Sequence, residues 1–171
     1  MVKREVTYAF IDSQNLNLGI RSLGWQLDFK KFYIYMKDRS KISEIFLFIG
    51  YMESNHKLYK YLELIGYNLI FKSVVLNKDG KIKGNVDAEL VLHAAKIQYP
   101  FYTQAIIVSG DGDFVCLYEE LTKEEKLARI FIPSRKSESR LLSKYRNVKL
   151  YIEDLKGKVE NNRGFGAQHE N

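Results

Sequence analysis

Two hydrophobic patterns alternate along the chain. Short apolar runs rich in β-branched and aromatic residues are separated by stretches whose apolar residues recur at helical spacing. That alternation is the signature of βαβ units and a parallel sheet. A first strand is predicted over Val6–Ile11, stopping at Asp12. Asp28 is a good N-cap for a helix that places Phe29, Phe32, Tyr33 and Met36 on one face. Ile45–Ile49 is apolar without alternation, which suits a strand buried on both faces. Ser54 can start a helix running through Leu58, Tyr61, Leu62 and Ile65, with Gly66 closing it.

A third strand covers Leu69–Phe71 and Val74–Leu76, then meets the turn signal Asn77-Lys78-Asp79-Gly80. A helix is predicted from Val86 to Gln98, ended by Pro100, followed by a strand at Ala105–Val108 and a helix from Phe114 to Glu120. Ala128–Ile132 forms the next strand, Glu138–Tyr145 a short helix and Val148–Tyr151 the last strand. Beyond Leu155 the chain is nearly devoid of apolar residues, which predicts a disordered tail over 156–171 behind one domain over 1–155.

Composition adds constraints rather than chemistry. A length of 171 residues supports one full core but not two comfortable ones. No apolar run approaches the ~20 residues needed to span a bilayer. A single cysteine, Cys116, excludes an internal disulfide and any multi-cysteine zinc site. With no export signal, the cytoplasm is the expected location. The net charge of +6 favours a polyanionic partner without requiring one.

The candidate chemistry lies in the aspartates. Asp12 follows the first strand directly, and Asp111 and Asp113 follow the Ala105–Ser109 strand in Ser109-Gly110-Asp111-Gly112-Asp113. Residues just beyond the carboxyl ends of parallel strands line one edge, where ligands bind. Gly110 and Gly112 would let the backbone turn sharply and leave room for a substrate. Asp87, at the start of a helix, is a fourth candidate, although a carboxylate there also suits the helix dipole. Asp12, Asp111 and Asp113 each have a capping alternative. As a set, clustered carboxylates repel unless a cation is present, and a hard divalent ion such as Mg²⁺ resolves that. Such an ion can also support phosphodiester hydrolysis.

Three motifs carry a resemblance: Phe10-Ile11-Asp12-Ser13-Gln14-Asn15-Leu16, Lys83-Gly84-Asn85-Val86-Asp87 and Ser109-Gly110-Asp111-Gly112-Asp113-Phe114. In this order they resemble the NYN domain family, the LabA-like branch of the PIN-like nuclease superfamily, over roughly residues 5 to 155. The resemblance implies a PIN-like Rossmannoid three-layer α/β sandwich with a mainly parallel sheet. It also implies metal-dependent cleavage of RNA. Asp12, Asp87, Asp111 and Asp113 would hold Mg²⁺ or Mn²⁺, with Asn15 near the scissile phosphate or a bound water. One position departs from the family pattern. A further aspartate is often found about two turns along the helix, and here His93 stands there, either facing the site or packing on the sheet. Glu89 lies off the Asp87 face and is expected to be solvated.

Of the basic residues, Lys72, Lys78, Lys81, Lys83, Arg135, Lys136 and Arg140 fall in or beside loops that could flank the acids. Lys81, Lys83, Arg135 and Lys136 are the candidate RNA contacts. Tyr99, Phe101 or Tyr102 could stack bases or support a homodimer. No serine has a histidine base in a recognisable arrangement, and no P-loop is present. The leading expectation is an endoribonuclease. The alternatives are an RNA-binding regulatory module with weak or lost turnover, and a phosphohydrolase using Asp12 as nucleophile.

Overall fold

The computed structural model describes residues 5–73, 75–76, 82–83 and 86–162. The strands are β1 (Thr7–Asp12), β2 (Ile42–Tyr51), β3 (Asn68–Ser73), β4 (Val75–Leu76), β5 (Ile82–Lys83), β6 (Gln104–Val108), β7 (Leu127–Ile132) and β8 (Lys149–Tyr151). The helices are α1 (Ser13–Arg21), α2 (Phe29–Arg39), α3 (His56–Ile65), α4 (Asp87–Leu92), α5 (Val115–Lys123) and α6 (Lys156–Val159). One π-helical turn, His93–Ile97, extends α4, so the helix predicted over Val86–Gln98 is present in two parts.

Six strands form one sheet in the order β3-β2-β1-β6-β7-β8, and every pairing in it is parallel. The central β1 is apolar on both faces because helices cover both. Ala9 and Ile11 pack with Leu16, Ile20, Phe32, Met36 and Val159 on one side. Phe10 packs with Leu90, Ala94, Phe114, Leu117 and Tyr118 on the other. This is a three-layer α/β sandwich. From β1 the chain builds outward through β2 and β3 in one direction, and returns to β6, β7 and β8 on the other flank. The order therefore reverses between β1 and β6, and a crevice is expected beyond their carboxyl ends.

Several elements differ from the sequence expectation, each for a physical reason. α1 was not anticipated, because Asn15, Asn17 and Gly19 are poor helix formers. Burial of Leu16 and Ile20, one turn apart, and the Asp12 cap stabilise it instead. The third strand ends at Ser73, and Val75–Leu76 pairs antiparallel with Ile82–Lys83 in a separate ribbon. The turn at 77–80 lies outside the described residues. The segment expected to be a disordered tail begins with folded residues. Residues 156–162 are ordered: Val159 is fully buried, the Asp28 N–H donates to its carbonyl, and Glu160 bridges Leu27. One buried valine and this backbone pairing hold a segment whose composition is otherwise polar. Residues 163–171 lie outside the described part.

Candidate active site

Asp12 is the last residue of β1 and the N-cap of α1, accepting the Asn15 N–H at 3.1 Å. It is 5% exposed. Burial, reinforced by repulsion from Asp87 and Asp111, pushes its carboxyl up to about 6, against the opposing pull of the backbone N–H groups of Asn15 and Gln14. One strand away, β6 runs out into Ser109, whose hydroxyl accepts the Asp111 N–H at 3.1 Å. Asp111 Oδ1 in turn accepts the Asp113 N–H at 3.0 Å and caps the 3₁₀ turn Gly112–Phe114. Both strand-end aspartates are thus caps, each accepting its capping N–H through Oδ1. Asn15 ties the two loops together, its Oδ1 accepting the Gly110 N–H at 2.9 Å.

Asp87 comes from the first turn of α4, fixed against the sheet by buried Val86 and Leu90. Carboxylate oxygens of Asp87, Asp111 and Asp113 lie within 4.8 Å of one another. Asp12 is not in that triad. It lines the same cavity of about 580 Å³ from the buried side, with Gln14, Asn15, Leu18, Gly19, Ser22, Lys136 and Ser137. The oxygen-only donors of the triad match a hard divalent cation. The cluster is compatible with metal binding.

Gly110 and Gly112 serve a different purpose from the one expected. Neither has a positive φ. A Cβ on Gly112 would lie 2.5 Å from Ser139 Oγ and 2.9 Å from Leu141 Cδ1, and one on Gly110 would lie 3.0 Å from the Ser137 carbonyl. The space they leave is filled by the loop after β7, not left to a substrate. That loop brings Lys136 and Ser137 to the cavity.

The remaining sequence candidates separate clearly. Lys136 lines the cavity. Arg135 does not: its guanidinium binds Asp154 through two nitrogens at 2.8 Å and Glu153 at 2.7 Å, and lies 4.1 Å from the Tyr151 ring centroid. Lys72 pairs with Glu89 at 3.1 Å, so Glu89 is half-buried in an ion pair rather than solvated. Arg140 is exposed at the start of a 3₁₀ turn, outside the cavity lining. Lys78 and Lys81 lie outside the described residues, as does the Lys83 side chain. His93 packs on the sheet, 5.4 Å from the Phe48 ring and 6.5 Å from Phe46, and desolvation lowers its pKa against the opposing charge of Glu89. Tyr99, Phe101 and Tyr102 precede β6 and lie at the opposite edge of the sheet from the acids, so they cannot stack bases at this site. Gln14, Leu18 and Ser22 were missed. Their four-residue spacing is the signal that would have placed them together, once α1 is recognised as a helix.

Taken together, these residues form an α/β domain whose parallel sheet carries a carboxylate triad at its reversal point. The NYN domain family model matches residues 7–154. The chain belongs to the NYN domain family, within the PIN-like nuclease superfamily. A solved structure of a protein of unknown function from Vibrio parahaemolyticus is similar in fold, with a TM-score of 0.75 and 20% sequence identity, covering 94% of this chain and 99% of that one. No curated protein matches the chain. Among the described residues, no helix is long and apolar enough to cross a membrane.

Proposed function

We propose that the chain is a metal-dependent endoribonuclease acting on RNA phosphodiesters. The observation that carries this reading is the convergence of Asp87, Asp111 and Asp113 oxygens at one cavity, which buried Asp12 and Lys136 also line. The triad would hold Mg²⁺ or Mn²⁺. Such an ion supplies charge neutralisation at the scissile phosphate and makes water a better nucleophile near neutral pH.

The chain's own groups have distinct tasks in this reading. Asp87, Asp111 and Asp113 would bind the ion, with the Asp111 carboxylate tied by the Asp113 N–H it accepts and the Asp111 backbone by the bond it donates to Ser109. Asp12 sets the local negative potential from below and is the group best placed to take up a proton. Asn15 fixes the separation of the two loops through Gly110, and its amide lines the cavity where a phosphate would sit. Lys136 offsets the carboxylate charge that would otherwise repel RNA. Purified protein supplied with Mn²⁺ should cleave a labelled single-stranded RNA, and EDTA should stop it. Absence of cleavage in both Mn²⁺ and Mg²⁺ would sink the proposal.

A second reading, an RNA-binding module with weak turnover, draws on His93. The position that often carries a further acid in the family holds a ring packed against Phe48 and contributes no carboxylate. Calorimetry separates the readings: a catalytic site binds Mn²⁺ and loses that binding when the triad is disrupted.

A further inference from the structure

α1 has three sides. Leu16 and Ile20 are buried in the core, and Asn17 and Arg21 are exposed. Gln14, Asn15, Leu18, Gly19 and Ser22, the last being the helix C-cap, line the acidic cavity. At about 100° per residue, these five fall in one arc of about 140°, between the core side and the exposed side. The helix therefore turns a continuous flank to the cavity. From Gln14 to Ser22 that flank runs about 12 Å, whereas the triad oxygens lie within 4.8 Å of one another. The cavity, about 580 Å³, falls within the roughly 300–1,000 Å³ of small-ligand sites. It reaches well past the carboxylates that would hold an ion.

The chemistry of this flank differs from that of the triad. Among the described residues lining the cavity, Leu18 is the one large apolar side chain, and it is 59% exposed. A single exposed leucine is ordinary on a protein surface. This one stands in a concave wall whose other side chains are polar or charged. Gln14 and Ser22 lie one turn to either side of it on the same flank. Gly19 lets the opposite wall come close, since a Cβ there would lie 2.5 Å from Pro133 Cβ and 3.2 Å from Ser137 Oγ. The loop that carries Lys136 thus meets α1 next to Leu18. Among the described residues Lys136 is paired with no carboxylate, whereas Arg135 and Lys72 are. A phosphate alone would use the cation and leave Leu18 in water. A phosphate that carries a nucleoside would also cover Leu18 with the apolar faces of its sugar and base, and offer polar edges to Gln14 and Ser22.

We infer that the cavity flank of α1 is a nucleoside subsite, in which Leu18 carries the sugar and base of a nucleotide whose phosphate lies toward the carboxylates. The inference takes its ligand from the ribonuclease reading and assigns the residues that grip the nucleotide beside the scissile bond. The test is ¹⁵N NMR titration of the full chain with adenosine 5′-monophosphate and with inorganic phosphate, in Mg²⁺ and again in EDTA. The proteins are wild type, Leu18→Ala, Leu18→Met and Leu64→Ala. Alanine is a better helix former than leucine, so Leu18→Ala leaves α1 intact; Leu64, 79% exposed on α3, is the control. Wild type should bind the nucleotide about tenfold more tightly than phosphate, as covering roughly half a leucine side chain gives. Leu18→Ala should lose that preference with phosphate affinity unchanged, and Leu18→Met and Leu64→Ala should keep it. Wild type that binds the nucleotide no better than phosphate overturns the subsite. So does a preference that survives in Leu18→Ala, or an equal loss for both ligands, which would make Leu18 structural. Failure of wild type to cleave RNA strikes the nuclease reading instead; a nucleotide preference that Leu18→Ala abolishes would still support the subsite.

Discussion

Asp12 occupies the most demanding position in the site, a carboxyl 5% exposed at a strand end, facing two other carboxylates. Its pKa is near 6 in the fold and about 3.9 in an unfolded chain. Folding therefore takes up a proton between those values. The resulting stability is fully present below about pH 4 and is lost as pH rises through about 6. Asp12→Asn abolishes this titration and keeps a competent N-cap. In EDTA at pH 7.5 the variant should exceed wild type in stability by on the order of 2–3 kcal/mol, with the difference vanishing toward pH 4, as read by urea denaturation. Equal stability at pH 7.5 would show that the carboxyl is better solvated than its burial implies. Gly112 makes a second residue-scale prediction. A Cβ there would press on Ser139 Oγ at 2.5 Å and Leu141 Cδ1 at 2.9 Å. Gly112→Ala should cost about 1–3 kcal/mol by overpacking, seen as a lowered urea midpoint. It should also weaken Mn²⁺ binding, since the Asp111–Asp113 loop must shift.

The elements differ in what holds them. β1, β2 and β6 are hydrophobic enough to be recognised from sequence, and their ends place Asp12 and Asp111 on one edge without further help. α1 and α6 are not, because neither has strong helix propensity and both depend on distant contacts. α6 rests on Val159 against the α2 face and on two backbone bonds, from Asp28 to Val159 and from Asn161 to Gln26. Truncation after Leu155 should therefore cost at least about 2 kcal/mol, and lower Tm by about 4–8 °C for a domain of this size. A truncated protein with unchanged Tm would mean that α6 adds nothing to the core. The loop after β7 is a further case. The Glu138 carboxylate pairs with Lys149 and accepts the Tyr151 hydroxyl, and Arg135 clamps Glu153 and Asp154. These ties anchor to β8 and the turn after it the loop that carries Lys136 and Ser137.

At the scale of the whole molecule, the strand order turns separate sequence signals into one site. Two apolar runs stopping at or near aspartates could be read directly, and so could the alternation that predicts a parallel sheet. The role of Asp87 could not be read from spacing, since a carboxylate in a first helical turn also suits the helix dipole; the family motif singled it out. Two facts lay beyond any local signal. Asp12 is separate from the triad formed by Asp87, Asp111 and Asp113, and Arg135 is spent on an ion-pair network whose partners lie 18 and 19 residues away. Both depend on how the β7–β8 connection folds back over the sheet edge, which no pattern of polar and apolar residues encodes. The most direct test of the account is the rate of Mn²⁺-dependent RNA cleavage by Asp111→Asn beside wild type, at matched folding by circular dichroism. The carboxylate triad predicts active wild type and a loss of more than about 100-fold in the variant; equal rates would contradict it.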